Sequence, residues 1–204
     1  MNPTPAPDKP GRLVGDKTGS KVAKGTEKAV PGLVAFVGAG PGDEELLTLR
    51  AAALIGQADL VVAAQWVGER LAHLLKEGAV LADSAGLQDD PKMLVKAARS
   101  GQAVARVFGG DPLMFCNAAA EAAAVAKAKV PFEIVPGVSA AGAVPAYAGI
   151  PLTSDGNGDV RIISASEVAT VSVTPGTLVI LGEIGRAHVS NSSHQGTSRM
   201  PSSA

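Results

Sequence analysis

The segment Leu33-Val34-Ala35-Phe36-Val37-Gly38-Ala39-Gly40-Pro41-Gly42-Asp43 decides the fold class of this chain. Its first part, residues 33–37, is a continuous apolar run, which is typical of a strand buried on both faces of a parallel sheet. The glycines that follow allow a sharp turn and a close approach of a ligand to the backbone. Asp43 is predicted to cap a helix over residues 44–55. The segment therefore predicts a strand–turn–helix unit whose turn lies at the carboxyl edge of a sheet, where ligands bind.

The same alternation of strand and helix continues to residue 147. The apolar runs predicted as strands cover residues 33–37, 60–63, 79–82, 103–108 and 132–135. The helical patterns between them cover residues 44–55, 67–75, 92–99, 118–128 and 140–147. This order predicts an α/β fold with a parallel sheet, helices on both of its faces and right-handed crossovers.

Shifts in composition divide the chain into parts. Residues 1–32 are rich in Pro, Lys, Gly and Thr and are predicted to be a disordered arm. Residues 33–149 form the predicted N-terminal domain, and residues 150–159 are a turn-rich linker. Residues 160–182 contain two predicted strands, at 160–164 and 178–181, as the start of a second α/β domain. Because two strands do not make a stable domain, we expect this second domain to be incomplete.

Residues 183–204 have no hydrophobic periodicity and no apolar core. Residues 183–189 can be encoded by GAG ATC GGA AGA GCA CAC GTC, and residues 198–204 by TCT CGT ATG CCG TCT TCT GCT. Both strings resemble the adapter of short-read sequencing libraries. We therefore interpret residues 183–204 as translated adapter, with one frame slip between residues 189 and 191, and expect the natural protein to be cut off near Gly182. A natural Ser-rich tail is the alternative.

Composition and charge disfavour several classes of function. The chain has 204 residues, 46% of them hydrophobic, which suffices for one sizeable core, and its net charge of -1 gives no reason to expect nucleic acid as a main partner. Cys116 is the only cysteine and the three histidines form no cluster, so we predict neither a disulfide framework nor a metal site. Neither a membrane span nor a secretory signal is evident, which favours a cytoplasmic protein.

Two further turns follow predicted strands. Gly109-Gly110-Asp111-Pro112 comes after residues 103–108, and its Asp111 can accept hydrogen bonds from hydroxyl or ammonium groups. The alternative is a turn in which Asp111 caps its own backbone. Pro136-Gly137-Val138-Ser139-Ala140 comes after residues 132–135 and opens an Ala-rich helix. Its small side chains would let a flat ligand approach, although tight helix–sheet packing requires the same residue types.

A fourth stretch, Tyr147-Ala148-Gly149-Ile150-Pro151-Leu152-Thr153, is predicted to form a hinge and one wall of the cleft. Its tyrosine is the only one in the chain, and packing and substrate stacking both remain open as its role. A dinucleotide-binding turn is an alternative for the first motif. That fingerprint requires G-x-G-x-x-G, and Pro41-Gly42-Asp43 breaks it, which disfavours a nicotinamide dehydrogenase.

Taken in this order, the four motifs resemble those of the tetrapyrrole methylases, from about Leu33 to Gly182, and most of all those that methylate uroporphyrinogen III. The resemblance implies two α/β domains around a trough for S-adenosyl-L-methionine, transfer of methyl groups to uroporphyrinogen III to give precorrin-2 for sirohaem and cobalamin, and a homodimer. The residues that match cofactor-contacting positions of the family are Pro41, Gly109, Gly110, Asp111, Met114, Ser139 and Ala140.

The chain departs from the family pattern at several positions. A Tyr-Asp pair, whose Asp is the family's acid/base residue, is matched by Ala63 and Ala64, and a family Lys is matched by Asp83. Residues 113–119 replace a Phe and a Gly-Arg-Gly-Gly loop, so an Arg that could pair with a propionate is missing. The catalytic residue is therefore unassigned. Two alternatives stay open: a domain that binds cofactor or tetrapyrrole without turnover, fused to a uroporphyrinogen-III synthase, and a methylase that acts on a later corrin precursor, ribosomal RNA or diphthamide.

Overall fold

The computed structural model describes residues 32–87, 91–153, 155, 158–172 and 177–182. The predicted arm, apart from Gly32, and the predicted adapter tail lie outside these residues. The strands are β1 (Val34–Gly38), β2 (Leu60–Ala63), β3 (Val80–Asp83), β4 (Val104–Phe108), β5 (Phe132–Val135), β6 (Asp159–Ser164) and β7 (Thr177–Gly182). The α-helices are α1 (Leu49–Gln57), α2 (Gln65–Leu71), α3 (Lys92–Arg99), α4 (Ala118–Lys127) and α5 (Ala140–Tyr147). Short 3-10 helices cover Glu44–Leu46, Ala72–Leu74, Ser84–Gly86 and Ala165–Thr170.

Five of the strands form one parallel sheet in the order β3-β2-β4-β1-β5, which confirms the predicted fold class. Strands β1 and β4 are neighbours at its centre. The connection after β1 leads towards β2, whereas the connection after β4 leads the opposite way, towards β5. Chain segments thus leave adjacent strands in opposite directions. Open α/β sheets bind ligands at such a switch in direction.

Alternate residues of each central strand enter opposite layers of the core. On one face, Ala35 and Val37 of β1 pack with α1 and α2, which contribute Ile55 and Val67 among others. On the other face, Val34 and Phe36 pack with α3 and α4, which contribute Leu94, Ala97, Ala98, Ala118, Ala122 and Val125. This two-residue alternation explains why the strands are continuously apolar in sequence, because both faces of the sheet are covered.

The strand predicted at residues 103–108 contains one charged residue that the apolar pattern did not explain. Arg106 of β4 is 8% exposed and Glu121 of α4 is 4% exposed. Nε and Nη2 of Arg106 donate to the two carboxylate oxygens of Glu121 at 2.8 and 3.0 Å. A bidentate ion pair of this kind offsets the cost of removing both charges from water.

The first helix begins later than predicted. The Asp43 carboxylate accepts a hydrogen bond from Glu45 N at 3.0 Å, but it caps only the 3-10 helix Glu44–Leu46. The α-helix starts at Leu49, where Thr48 Oγ1 accepts from Ala51 N at 3.1 Å. Thr48 has extended backbone angles. Because Thr48 is a second capping residue, the single helix predicted for residues 44–55 is divided into a 3-10 helix and an α-helix.

Strands β6 and β7 form a separate two-stranded parallel sheet, with Asp159 opposite Thr177 and Ser164 opposite Gly182. Both strands lie where the sequence predicts them, within one residue at their ends. The boundaries of the predicted domains remain a prediction. Among the described residues, no helix is long and apolar enough to cross a membrane.

Candidate functional site

The turns after β1 and β4 are joined by backbone hydrogen bonds. Gly40 N donates to Gly110 O at 3.2 Å, and Gly110 N donates to Gly40 O at 2.6 Å. The two glycines form an isolated antiparallel bridge beyond the ends of two parallel strands. The first two sequence motifs therefore lie together at the carboxyl edge, as the sequence predicts.

The turn after β5 joins them through glycine contacts and one carboxylate. A Cβ built on Gly38 would lie 2.6 Å from the Cα and from the N of Gly137, so these backbones meet without room for a side chain. Gly137 N donates to Asp111 Oδ2 at 3.1 Å, and Leu113 N donates to Asp111 Oδ1 at 2.9 Å. Asp111 thus caps its own turn, the role considered as the alternative, and also ties the second motif to the third. Each carboxylate oxygen retains a further lone pair as an acceptor.

The two glycines of the second motif differ in their surroundings. A Cβ built on Gly109 would lie 2.8 Å from Cη2 and 3.0 Å from Cζ2 of Trp66, because the indole ring covers that glycine. Gly110 has φ = 76°, and a Cβ built on it would meet nothing within 4 Å. Gly110 is therefore the member of the pair with open space beside its backbone.

The third motif presents small groups at the start of α5. Ser139 Oγ accepts from Ala141 N at 3.2 Å and caps the helix, which leaves the hydroxyl hydrogen available as a donor. Ala140 and Gly142 are exposed, and a Cβ built on Gly142 would meet nothing within 4 Å. On the second motif, Met114 N donates to Asp111 O at 3.2 Å, and the Met114 side chain is half-buried, as is Pro41 of the first motif.

The fourth motif reaches the first through one weak contact. The Tyr147 hydroxyl donates to Asp43 Oδ2 at 3.4 Å, while the side chain of Tyr147 remains 71% exposed. Tyr147 therefore lies beside the turn after β1, at the end of α5.

Two side chains of α2 at this edge belong to none of the four sequence motifs. Trp66 covers Gly109, as described above, and Nη1 of Arg70 would lie 3.4 Å from a Cβ built on Gly42. Their spacing of four residues, directly after β2, was the available signal, because such a pair shares one side of a helix.

The positions at which the chain departs from the family pattern also lie at the carboxyl edge. Ala63 ends β2, is buried and pairs in register with Asp83, the last residue of β3. The Asp83 carboxylate is exposed and accepts from Ala85 N at 3.0 Å. Ala64 precedes α2 and makes no side-chain cap. Within the described ranges, no group of three or more His, Cys, Asp or Glu could hold a metal ion.

Cys116 follows the second motif and is half-buried. Burial raises the pKa of its thiol, and the positive charge of Arg106 partly opposes that rise. At neutral pH this thiol is therefore protonated, which makes it a poor nucleophile.

Part of the chain is similar in sequence to known proteins. A siroheme synthase of Pseudoalteromonas translucida is 44% identical over an alignment of 135 residues, and the match covers 62% of this chain and 28% of that protein. The chain thus spans little more than a quarter of the length of this curated relative.

Solved structures match at lower sequence identity. Uroporphyrin-III-C-methyltransferase from Thermus thermophilus superposes with a TM-score of 0.64 at 32% identity, covering 72% of this chain and 67% of that one. The same enzyme complexed with S-adenosylhomocysteine superposes with a TM-score of 0.55 at 34% identity, covering 65% and 59% of the two chains. The family model of the tetrapyrrole (corrin/porphyrin) methylases matches residues 33–191. On this match and on its fold, the chain belongs to the tetrapyrrole methylases.

Proposed function

We propose that the protein transfers methyl groups from S-adenosyl-L-methionine to uroporphyrinogen III, on the way to sirohaem or cobalamin. The observation that carries the proposal is the open Gly110, held by Gly40 at the junction of three turns. The similarity to siroheme synthases and to a uroporphyrin-III C-methyltransferase supports the substrate. A cytoplasmic location and a homodimer belong to the same proposal.

The residues present at the junction fit this cofactor. Gly110 and Gly142 have free space where other residues carry a side chain, so an adenosyl group could lie against the backbone there. The spare lone pairs of Asp111 suit hydroxyl or ammonium donors, and the Ser139 hydroxyl suits an acceptor. The residues proposed to hold S-adenosylmethionine are Pro41, Gly109, Gly110, Asp111, Met114, Ser139 and Ala140. Gly109 acts indirectly in this set, because it makes room for Trp66.

When bound, S-adenosylmethionine supplies an electrophilic methyl group to an electron-rich pyrrole carbon. This chain contributes by aligning the two reactants, which can provide much of the rate of such a transfer. The side chains of Ala63 and Ala64 cannot accept a proton, so neither residue is given an acid/base role. The Asp111 carboxylate ties the second turn to the third, and this holds in place the protein residues proposed to contact the cofactor.

A matched pair of glycine substitutions tests the cofactor site. Gly110 and Gly78 have φ values of 76° and 78°, and a Cβ on either would meet nothing within 4 Å. Gly110→Ala and Gly78→Ala therefore introduce the same backbone strain, of about 1–2 kcal/mol. Only the first fills the proposed cofactor space. By calorimetry, G110A should bind S-adenosylhomocysteine at least about tenfold more weakly than G78A, a difference of about 1.4 kcal/mol. Equal affinities would contradict the proposed site.

The substrate requires a separate assay of methylated products. Uroporphyrinogen III and a later corrin intermediate are each incubated with the protein and S-adenosylmethionine, and the products are identified by mass spectrometry. We expect addition of methyl groups to uroporphyrinogen III. Methylation of the corrin intermediate alone would show that the protein acts at a later step of the pathway than uroporphyrinogen III. Binding of S-adenosylhomocysteine without methylation of either would favour a domain that binds the cofactor without turnover.

A further inference from the structure

One side of α2 faces two of the glycine turns. Trp66 and Arg70 are four residues apart and therefore lie on the same side of the helix. The Trp66 ring covers Gly109 of the second motif, and the Arg70 guanidinium lies beside Gly42 of the first. We call this pair of side chains the α2 face.

The guanidinium of Arg70 differs from those of the other described arginines. Each of the others donates to a protein acceptor, namely Arg50 to Glu133, Arg99 to Ala128 O, Arg106 to Glu121, and Arg161 to Asp159. Within the described part of the chain, Arg70 is exposed and no side chain or carbonyl accepts from its guanidinium.

The carboxylates of Asp43, which ends the first motif, and of Glu44, which follows it, have other partners. The Glu44 carboxylate lies 3.5 Å from His73 Nε2, and Asp43 accepts from the Tyr147 hydroxyl. On α2 itself, Glu69 accepts from Gln65 Nε2 at 2.8 Å. Since none of these carboxylates accepts from the Arg70 guanidinium, it is suited to an acceptor that comes from a ligand.

We propose that Arg70 pairs with a peripheral carboxylate of the tetrapyrrole substrate, while Trp66 provides an apolar surface beside it. This inference rests on the proposed function and adds a specificity-determining residue to it. The planar guanidinium matches a carboxylate with two parallel hydrogen bonds, and uroporphyrinogen carries carboxylates around the rim of its macrocycle. Trp66 is 38% exposed, so part of its ring is available to a flat ligand. The cofactor also has a carboxylate, and Gly42 follows Pro41 of the proposed cofactor set, so the test measures S-adenosylhomocysteine binding beside uroporphyrin binding to distinguish the two carboxylates.

The chain provides its own probe, because Trp66 is its only tryptophan. Uroporphyrin III, the stable oxidised form of the substrate, absorbs where tryptophan emits, so its binding quenches Trp66 fluorescence. The titration compares wild type, Arg70→Met, Arg70→Lys and Lys96→Met. Lys96→Met is the matched control, because it removes one positive charge from an exposed position on α3. S-adenosylhomocysteine binding is measured on the same samples by calorimetry.

We expect R70M to weaken uroporphyrin binding about tenfold, R70K to weaken it less, and K96M to leave it within about twofold. Raising the salt from about 50 to about 500 mM should weaken binding by wild type more than by R70M. S-adenosylhomocysteine affinity should be the same in all four proteins.

Three results would overturn the inference. In the first, R70M binds uroporphyrin as wild type does. In the second, R70M loses S-adenosylhomocysteine affinity as well, which would place Arg70 at the cofactor or in the folding of the site. In the third, wild type binds S-adenosylhomocysteine but not uroporphyrin. Failure of the proposed function is distinct from all three, because wild type would then bind no S-adenosylhomocysteine.

Discussion

Gly38 at the end of β1 and Gly137 after β5 meet backbone to backbone. A Cβ on Gly38 would lie 2.6 Å from the Cα of Gly137, and a Cβ on Gly137 would collide with the carbonyl oxygen of Gly110. Both obstacles are main-chain atoms, which cannot move aside as a flexible side chain can. The third turn therefore rests on the first only because both positions are glycine.

Gly137→Ala should destabilise the protein by about 3 kcal/mol, because the methyl group forces the third turn away from β1. Urea unfolding followed by circular dichroism measures the effect. Gly142→Ala is the control, since it places the same methyl group on α5 in open space and should gain up to about 1 kcal/mol from helix propensity. If G137A and G142A unfold at the same urea concentration, the close contact of Gly38 and Gly137 is wrong.

The buried pair of Arg106 and Glu121 predicts strong non-additivity. Arg106→Met leaves the Glu121 carboxylate buried without its partner and should cost about 3–5 kcal/mol. Glu121→Leu should destabilise the protein by a similar amount, because it leaves the Arg106 guanidinium buried without its partner. The double variant removes both charges, so its loss of stability should be smaller than the sum of the losses in the two single variants. Additive losses in a double-mutant cycle would show that the two side chains do not interact.

Asp59 predicts a specific loss of stability in acid. A hydrogen bond from the Lys76 ammonium, and a second from Ala103 N at 2.7 Å, lower the pKa of the Asp59 carboxyl from its ordinary value of 3.8. A lowered folded-state pKa stabilises the protein above the ordinary value, and this stabilisation is lost as the pH falls through the lowered value. Asp59→Asn should therefore melt below wild type at pH 7, and the difference in Tm should shrink below about pH 4. A difference that is constant with pH would contradict this assignment.

Cys116 predicts slow alkylation of the native protein. Because burial raises the pKa of its thiol, little thiolate is present at neutral pH, and only the thiolate reacts with iodoacetamide. We expect native protein to be labelled more slowly than the same protein in urea, with the native rate still rising with pH beyond the ordinary thiol value of 9.0. Mass spectrometry gives both rates, and the chain has no second cysteine to confuse them. Equal rates would mean that Cys116 is freely accessible.

The fold was predictable because its strands are continuously apolar, and the inner strands β1, β2 and β4 are buried on both faces. The bounds of β2, β5, α3 and α5 agree with the sequence prediction at both ends. The start of α1 was wrong, since both Asp43 and Thr48 can cap a helix and local sequence does not decide between them. The partner of Arg106 is not predictable from local sequence for a related reason. Its partner Glu121 is fifteen residues away, and only the packing of α4 against β4 brings the two together.

The gathering of three turns at one edge was also predictable, because parallel strands end on the same side of a sheet. The different roles of the residues within those turns were not predictable. Gly109 and Gly110 are equivalent in sequence, but Trp66 covers one and leaves the other open. Likewise, the sequence around Asp111 does not indicate that its carboxylate accepts from Gly137 N. The two residues are 26 positions apart, and the packing of the intervening α4 and β5 brings them together. The binding roles of the predicted site residues remain predictions, which the G110A and G78A comparison addresses.

The bridge between Gly40 and Gly110 has a consequence for how the family's turns can vary. Loops at ligand sites usually tolerate insertions, because they run over the surface and contact little else. Here each turn is the hydrogen-bonding partner of the other, so adding one residue to either would shift its donor and acceptor past their counterparts. The lengths of these two turns are therefore coupled. Among relatives, new specificity should arise by exchange of side chains on α2 or α5, and not by lengthening the turns.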